Sequence, residues 1–395
     1  MNIVRENITP PKYMEHLIFG ALFVLALGLL TSTSILALSH ILMLVPCIYF
    51  AFHTNWKEMP KSAWALLGLS IAIMLSVAVN QDIMVKGWKP IFKVKYFLFG
   101  FFSIVPFHWW IKNKMTEKQL KVLLYTFLIA TTVATVSGLC GTFFGYNPLL
   151  MKAIKIGGRN GGLFGMVMNY GHNMSYFLVL LFGLILMRDK IKHLVNSRFL
   201  ILVFVINLIG LYFSYTRGAW LAVIAGIPMY FYKDHKKLFW GLLSGLIVLG
   251  VVGYFVAGKK VVRPESENQR ISQWKAALYA FKERPVLGFG YLNFEDHSTE
   301  IKKRYGVHDQ NFGGHAHSNI FEVIGALGIV GIVFYVLWHV FWLREITSSM
   351  ELAFLVAFFV GGLTQSTISL GINLFFVMGL LPFLSAFQKR SNSHF

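Results

Sequence analysis

The chain has 395 residues, 56% of them hydrophobic, 16% aromatic and only 13% charged, with a mean hydropathy of +0.61. This composition excludes a soluble globular domain and reads as a polytopic membrane protein. The formal net charge of +19 is spread as short basic clusters between apolar runs; a nucleic-acid partner is thereby disfavoured against lipid headgroups, topology signals and an anionic substrate.

The N-terminal MNIVRENITPPKYMEHL leads into an apolar segment without a small-residue cleavage site, and reads as a first span rather than a signal peptide. Runs long enough to cross a bilayer fall near 14–31, 33–52, 63–80, 96–111, 120–144, 161–187, 199–214, 217–232, 238–257, 319–343, 351–368 and 371–388. The expected fold is all-α and polytopic, with about 12 transmembrane helices and one long polar loop containing short helices. Residues 1–256 are expected to form an N-terminal bundle of about nine spans, 257–318 the loop, and 319–395 the C-terminal transmembrane helices, all in one integrated membrane domain. The last two runs admit a second reading, as a re-entrant pair. Cys47 and Cys140 lie inside apolar runs with no partners at metal spacing, which speaks against disulfide and zinc alike.

Lys and Arg resist translocation, so their bias among short loops puts both termini inside and the long loop outside. Lys86, Lys89, Lys93, Lys95, Lys152, Lys155, Arg159 and Arg217 then oppose the rule. An anionic ligand on the outer side gives such residues a reason to be there; for Lys93 and Lys95, snorkelling from a span end is an equal alternative. No internal repeat supports an inverted-repeat transporter.

In YFSYTRGAWL, Arg217 stands at the junction of two spans, where it either anchors a boundary or clamps a phosphate with its planar fork of donors. Gly218 beside it permits close backbone approach. Within the loop, Asn268 is expected to cap a surface-lying helix with Ile271, Trp274, Leu278 and Phe281 on one side and Pro285 at its end. Arg270 sits in the first turn of that helix, a place suited to an anion. Gly288 and Gly290 supply a tight bend.

His315 and His317 precede the next span; in extended backbone they point to opposite sides, which disfavours a shared metal. Either imidazole can take a proton from a sugar hydroxyl, or simply be structural. Glu322 is placed to orient an imidazole or Arg217. The GGRNGG run at 157–162 reads as a flexible lead-in to a span, and His172 and Asn173 read as helix glue or cavity lining. Asp-x-Asp motifs, Walker loops and Ser-centred elbows are absent from the sequence, so the expected chemistry is metal-independent and runs on arginine and histidine.

Taken in order, YFSYTRGAWL, RISQWKAALYAFKERPVLGFGY and GGHAHSNIFEVIGALGIVG resemble the bacterial O-antigen ligase and O-antigen polymerase superfamily, most nearly the ligase. The likeness covers the middle third to the end of the chain; the first five spans match only in hydropathy. It implies an inverting glycosyltransferase of the bacterial inner membrane, multi-pass, with its site facing the periplasm and no cofactor or metal. The implied donor is an undecaprenyl-diphosphate-linked glycan, the acceptor a sugar hydroxyl of lipid A-core, and the product lipopolysaccharide.

By the same resemblance Arg217 and Arg270 bind the diphosphate and His317, with His315 the neighbouring alternative, activates the hydroxyl. Glu322 and Trp274 would support them, and Lys86, Lys89 and Lys152 would meet phosphorylated core sugars. A polymerase extending lipid-linked repeats is the alternative within the superfamily; a transporter of lipid-linked sugars is the alternative of another class.

Overall fold

In the computed structural model residues 3–4, 10–257, 264–380 and 383 are described. Arg5, the loop's first stretch at 258–263 and the far end of the last expected span lie outside them. The described chain is mostly helical: α1 (Lys12–Gly28), α2 (Thr33–His53), α3 (Lys61–Val79), α4 (Val94–Phe102), α5 (Ile104–Asn113), α6 (Glu117–Phe144), α7 (Val167–Leu186), the single turn α8 (Arg188–Ile191), α9 (Ser197–Phe213), α10 (Arg217–Gly226), α11 (Lys236–Ala257), α12 (Pro264–Glu283), α13 (Phe294–Arg304), α14 (Asn319–Glu345) and α15 (Ser349–Thr364). A last apolar helix, α16, covers Gly371–Leu380. A two-residue hairpin pairs Tyr146 with Ala153 and Asn147 with Lys152.

Five segments among the described residues are long and apolar enough to cross a membrane: Thr33–His53, Lys61–Val79, Lys89–Asn113, Glu117–Phe144 and Asn319–Glu345. The chain is accordingly an all-α membrane protein with several apolar helices, and Ser197–Phe213, Arg217–Phe231, Ser349–Thr364 and Gly371–Leu380 are shorter apolar helices among the described residues. Local chemistry sets the ends. α6 starts at a capping box in which Thr116 and Gln119 exchange hydrogen bonds and stops at Gly145 in the left-handed conformation, a residue without a Cβ to clash there. The run expected from 161 begins as a helix only at Val167, because 157–162 is an ordered loop.

The polar region after α11 is built onto the bundle. α14 is broken at Gly328 (φ 60°, ψ −156°), and the Pro285–Gly290 turn docks against the break. The amides of Ile329 and Val330 donate to the carbonyls of Pro285 and Val286 (2.8 and 3.3 Å), while Phe289 and Gly290 donate to Gly325 and Ala326 (3.0 and 2.9 Å). Gly288 and Gly328 both have positive φ and sit so close to backbone that a Cβ on either meets a neighbouring main chain. The expected bend at Gly288 and Gly290, both at positive φ, lies in this turn; Gly288 and Gly328 together allow two backbones to satisfy one another inside the protein.

Two details of α12 differ from expectation. It starts at Pro264, a residue suited to a first helical turn, so Asn268 lies within the helix and is no cap. Its buried face is Ser272, Gln273, Ala276, Ala277 and Ala280, whereas Ile271 and Leu278 are exposed. The small residues let α12 approach α14 closely, with the Trp274 ring stacked on Phe321 at 5.0 Å and 11°. Beside a membrane the apolar phase is also outside the protein, so an exposed Ile271/Leu278 face suits an interfacial helix.

Candidate functional site

The site forms where α10, α12, the His315–Asn319 segment and the α15–α16 break meet. Gln365 to Ser369 interrupt the helices with wholly or nearly buried polar residues: Gln365, Ser366 and Thr367 are 0% exposed. Non-helical backbone inside an apolar bundle needs internal partners. It finds them in Asn319, whose Oδ1 accepts from the Ile368 amide (3.1 Å) and whose Nδ2 donates to Thr367 Oγ1 (2.9 Å), and in Tyr291, whose hydroxyl donates to the Ile368 carbonyl (2.6 Å).

Arg217 opens α10 directly after a tight turn in which Tyr215 has φ +49°, a conformation that costs about 1–3 kcal/mol for such a side chain unless its surroundings impose it. The GGRNGG loop imposes it. Arg159 donates through Nε to the Ser214 carbonyl (2.7 Å) and through Nη2 to the Tyr215 carbonyl (3.3 Å) and Thr216 Oγ1 (3.1 Å). The Asn160 amide donates to the Phe213 carbonyl (2.9 Å) and its side chain to the Gly210 carbonyl (3.1 Å). The Gly210 and Phe213 carbonyls belong to the last turn of α9, and those of Ser214 and Tyr215 follow it, where a helix end has no partners of its own. The stretch read from sequence as a flexible lead-in is thus an ordered clamp on the turn that aims Arg217.

The Arg217 guanidinium pairs with Glu267 at 2.6 Å. Arg270, one turn along α12, is half-buried; burial, then the positive charge of Arg217, lowers its pKa, with Glu267 opposing. It keeps its proton, as guanidinium does in proteins. Glu267 is thus bonded to Arg217 and acts electrostatically on Arg270, an arrangement in which an incoming anion can exchange with Glu267. Beneath them Gly218 brings α10 against Thr364, and the imidazole of His172, 1% exposed and without a partner for Nδ1, packs at the same point.

His317 has φ +51°, which breaks the alternation expected for extended backbone: the two histidine rings turn to the same side, their centroids 4.3 Å apart. Both meet Gln365, which lies 3.0 Å from His317 Nδ1 and 3.1 Å from His315 Nε2. No third metal-type ligand joins them among the described residues. Burial, then the neighbouring His317, lowers the pKa of His315 to about 4. Burial also lowers that of His317; the Gln365 hydrogen bond opposes and the charge of Arg270 adds to it. The pair is neutral at physiological pH.

Glu322 orients neither an imidazole side chain nor Arg217. It is 1% exposed, and its Oε2 accepts the backbone amide of Ala316 between the histidines (2.8 Å). Phe312 stacks near His317 (6.5 Å, 16°), and its carbonyl is gripped by the fully buried Lys302 and by Gln273. Trp274 is the joint between α12 and α14. Lys86 is engaged by Glu295 (2.5 Å) and Asp296 (3.0 Å); burial lowers its pKa but those bonds outweigh it, and the net shift is upward. It ties α13 to the turn after α3 and has little left for a ligand. Lys89 and Lys152 are exposed, away from these contacts.

Sequence reading missed Gln365 and Glu267, and placed Arg159 only among the outward basic residues suited to an anion, not as a clamp on the turn before Arg217. Gln365 had a signal, the polar TQSTIS within an apolar stretch. Arg159→Ala is expected to lower catalytic efficiency roughly ten- to a hundredfold by letting Arg217 drift. Arg159→Lys, which retains the charge without the fork, should recover only part; equal rates for all three proteins would remove the clamp from the argument.

Residues 202–336 match the family model described as O-antigen ligase. An uncharacterised protein of Haemophilus influenzae is 28% identical over 145 residues, 30% of this chain and 36% of that protein. The chain thus spans about a third of that relative's length. The matched segment holds Arg217, Arg270, Trp274, His315, His317 and Glu322, the residues that the geometry gathers from α10 to α14, and over that segment the chain is similar to the O-antigen ligase family.

Proposed function

We propose that the protein is an O-antigen ligase, an inverting glycosyltransferase that moves a glycan from undecaprenyl diphosphate to a sugar hydroxyl of lipid A-core. The observation that carries the reading is the grouping of Arg217, Arg270 and the neutral His317 around one buried polar break. The acceptor hydroxyl attacks the anomeric carbon from the face opposite the diphosphate and its proton passes to His317. The glycosidic C–O bond breaks, and the charge that grows on the departing diphosphate is met by Arg217 and Arg270 in place of Glu267. A fixed pair of guanidinium groups suffices for that charge, and the base needs no activation beyond being neutral.

On this reading the site faces the periplasm at the outer face of the inner membrane, residues 257–318 form the periplasmic loop, and the polyprenyl tail enters between helices from the lipid. The basic outer surface, Lys89 and Lys152 included, favours the anionic core acceptor of a ligase over the growing repeat of a polymerase.

A deletion strain tests the choice. Loss of a ligase strands long glycans on the lipid carrier, whereas loss of a polymerase leaves single repeats capped onto core. Smooth lipopolysaccharide persisting in the deletion strain, or after alanine replacement of each of Arg217, Arg270 and His317, would sink the proposal.

The pH dependence has a definite sign. The base must be unprotonated, and its pKa is lowered from the ordinary 6.5, so kcat/KM stays level as pH falls through 6.5 and declines only at more acidic values. An acid limb at or above 6.5 in a purified transfer assay would contradict this assignment of the base.

A further inference from the structure

The two histidines differ in which ring nitrogen is occupied, and one side chain decides it for both. Gln365 follows the last turn of α15 in extended backbone (φ −151°, ψ 142°). It is fixed by the Thr367 amide donating to its carbonyl at 2.9 Å. Its amide has chemically distinct ends, an oxygen that only accepts and an NH2 that only donates. The oxygen lies 3.0 Å from His317 Nδ1, so that nitrogen holds the ring proton and donates. The NH2 lies 3.1 Å from His315 Nε2, so that nitrogen holds a lone pair and accepts. Each neutral imidazole has one proton; the nitrogen left free is therefore an unprotonated Nε2 in His317 and a protonated Nδ1 in His315.

We propose that Gln365 is the positioning residue that sets both tautomers, leaving the lone pair of His317 Nε2 as the acceptor of the substrate proton and withdrawing His315 from that role. The inference resolves which histidine acts in the function proposed above, and its catalytic consequence rests on that function. A reversed amide exchanges both assignments, giving His317 Nε2–H and a free lone pair on His315 Nδ1, so the two histidines are alternatives governed by one torsion. The surrounding elements bring Arg217 from α10, Glu267 and Arg270 from α12, Glu322 from α14 and His172 from α7. Glu322 is committed to the Ala316 amide and Glu267 to Arg217, which leaves Gln365 as the polar group touching both rings.

The test uses the full chain in lipid nanodiscs with 15N-labelled histidine, His315→Ala and His317→Ala supplying assignments. Near pH 7.5 both rings should show a pyrrole-type Nδ1 and a pyridine-type Nε2. In Gln365→Met, which has similar size and no hydrogen bond to offer, both rings should shift toward the Nε2–H form. Transfer should then drop about ten- to a hundredfold in kcat with the donor KM unchanged. Gln365→Glu still accepts from His317 Nδ1–H, so it should restore much of kcat and displace the acid limb of the pH profile upward.

Nε2–H tautomers in the wild-type protein, or rings unchanged in Gln365→Met, overturn the proposal. Shifted tautomers with unaltered kcat overturn its catalytic consequence. Full transfer by His317→Ala defeats the functional reading instead, and is recognisable as such because the wild-type nitrogen spectrum is then still as described.

Discussion

His317→Ala should lower glycan transfer by about two to four orders of magnitude while leaving donor binding nearly intact. The expectation rests on three features of that residue. Its ring is held at Nδ1 by Gln365 (3.0 Å); burial keeps it neutral; and its backbone occupies a left-handed conformation (φ +51°) that turns the ring toward the site. Glu322, through the Ala316 amide, and the stacked Phe312 fix the segment on either side. The check is single-turnover transfer with purified lipid-linked glycan and core acceptor, alongside donor affinity. His315→Ala is expected to cost much less, because its Nε2 is already spent on Gln365. A larger loss at His315 than at His317 would reverse the assignment.

Arg217→Ala should cost about two to three orders of magnitude in kcat/KM, and Arg217→Lys should restore little of it. The turn clamped by Arg159 aims a planar fork of donors at one point; an ammonium carries the charge but not the fork. Since Arg270 feels the charges of both Arg217 and its bonded partner Glu267, the two arginines should act on one leaving group, and the loss in Arg217→Ala/Arg270→Ala should be smaller than the product of the single losses. Strict multiplicativity of the two losses, measured under the same conditions, would mean that the arginines serve different ligands.

Arg217 stood out in the sequence because an arginine at a span junction opposes the positive-inside bias, whereas Arg270 and His317, in the polar loop, stood out by their places in the first turn of a helix and before a span and by the resemblance. Helix positions along the chain were legible too, because uninterrupted apolar runs leave the backbone few alternatives. The face of α12 was not. Amphipathic periodicity assumes water outside and an apolar interior, yet here Ile271 and Leu278 point outward and alanines pack inward, as happens where lipid is the apolar phase and close helix approach favours small residues. Gln365 was hidden because a six-residue polar break vanishes when 351–368 is averaged as one apolar run. The clamping role of Arg159 was hidden because two of its partners are the Ser214 and Tyr215 carbonyls just past α9, and main-chain acceptors leave no mark on a sequence.

The backbone exchange between the Pro285–Gly290 turn and the break in α14 has a consequence for how substrate is met. A loop held by hydrogen bonds from Ile329, Val330, Phe289 and Gly290 cannot swing open without unpairing main chain inside a poorly solvated environment. The entropy of assembling Arg270 beside Arg217 and His317 is therefore expended when the protein folds and is not charged against each encounter with the proposed donor. Such a preorganised site should capture its donor in a single kinetic phase, with the exchange of those four amides against deuterium equally slow before and after the glycan arrives.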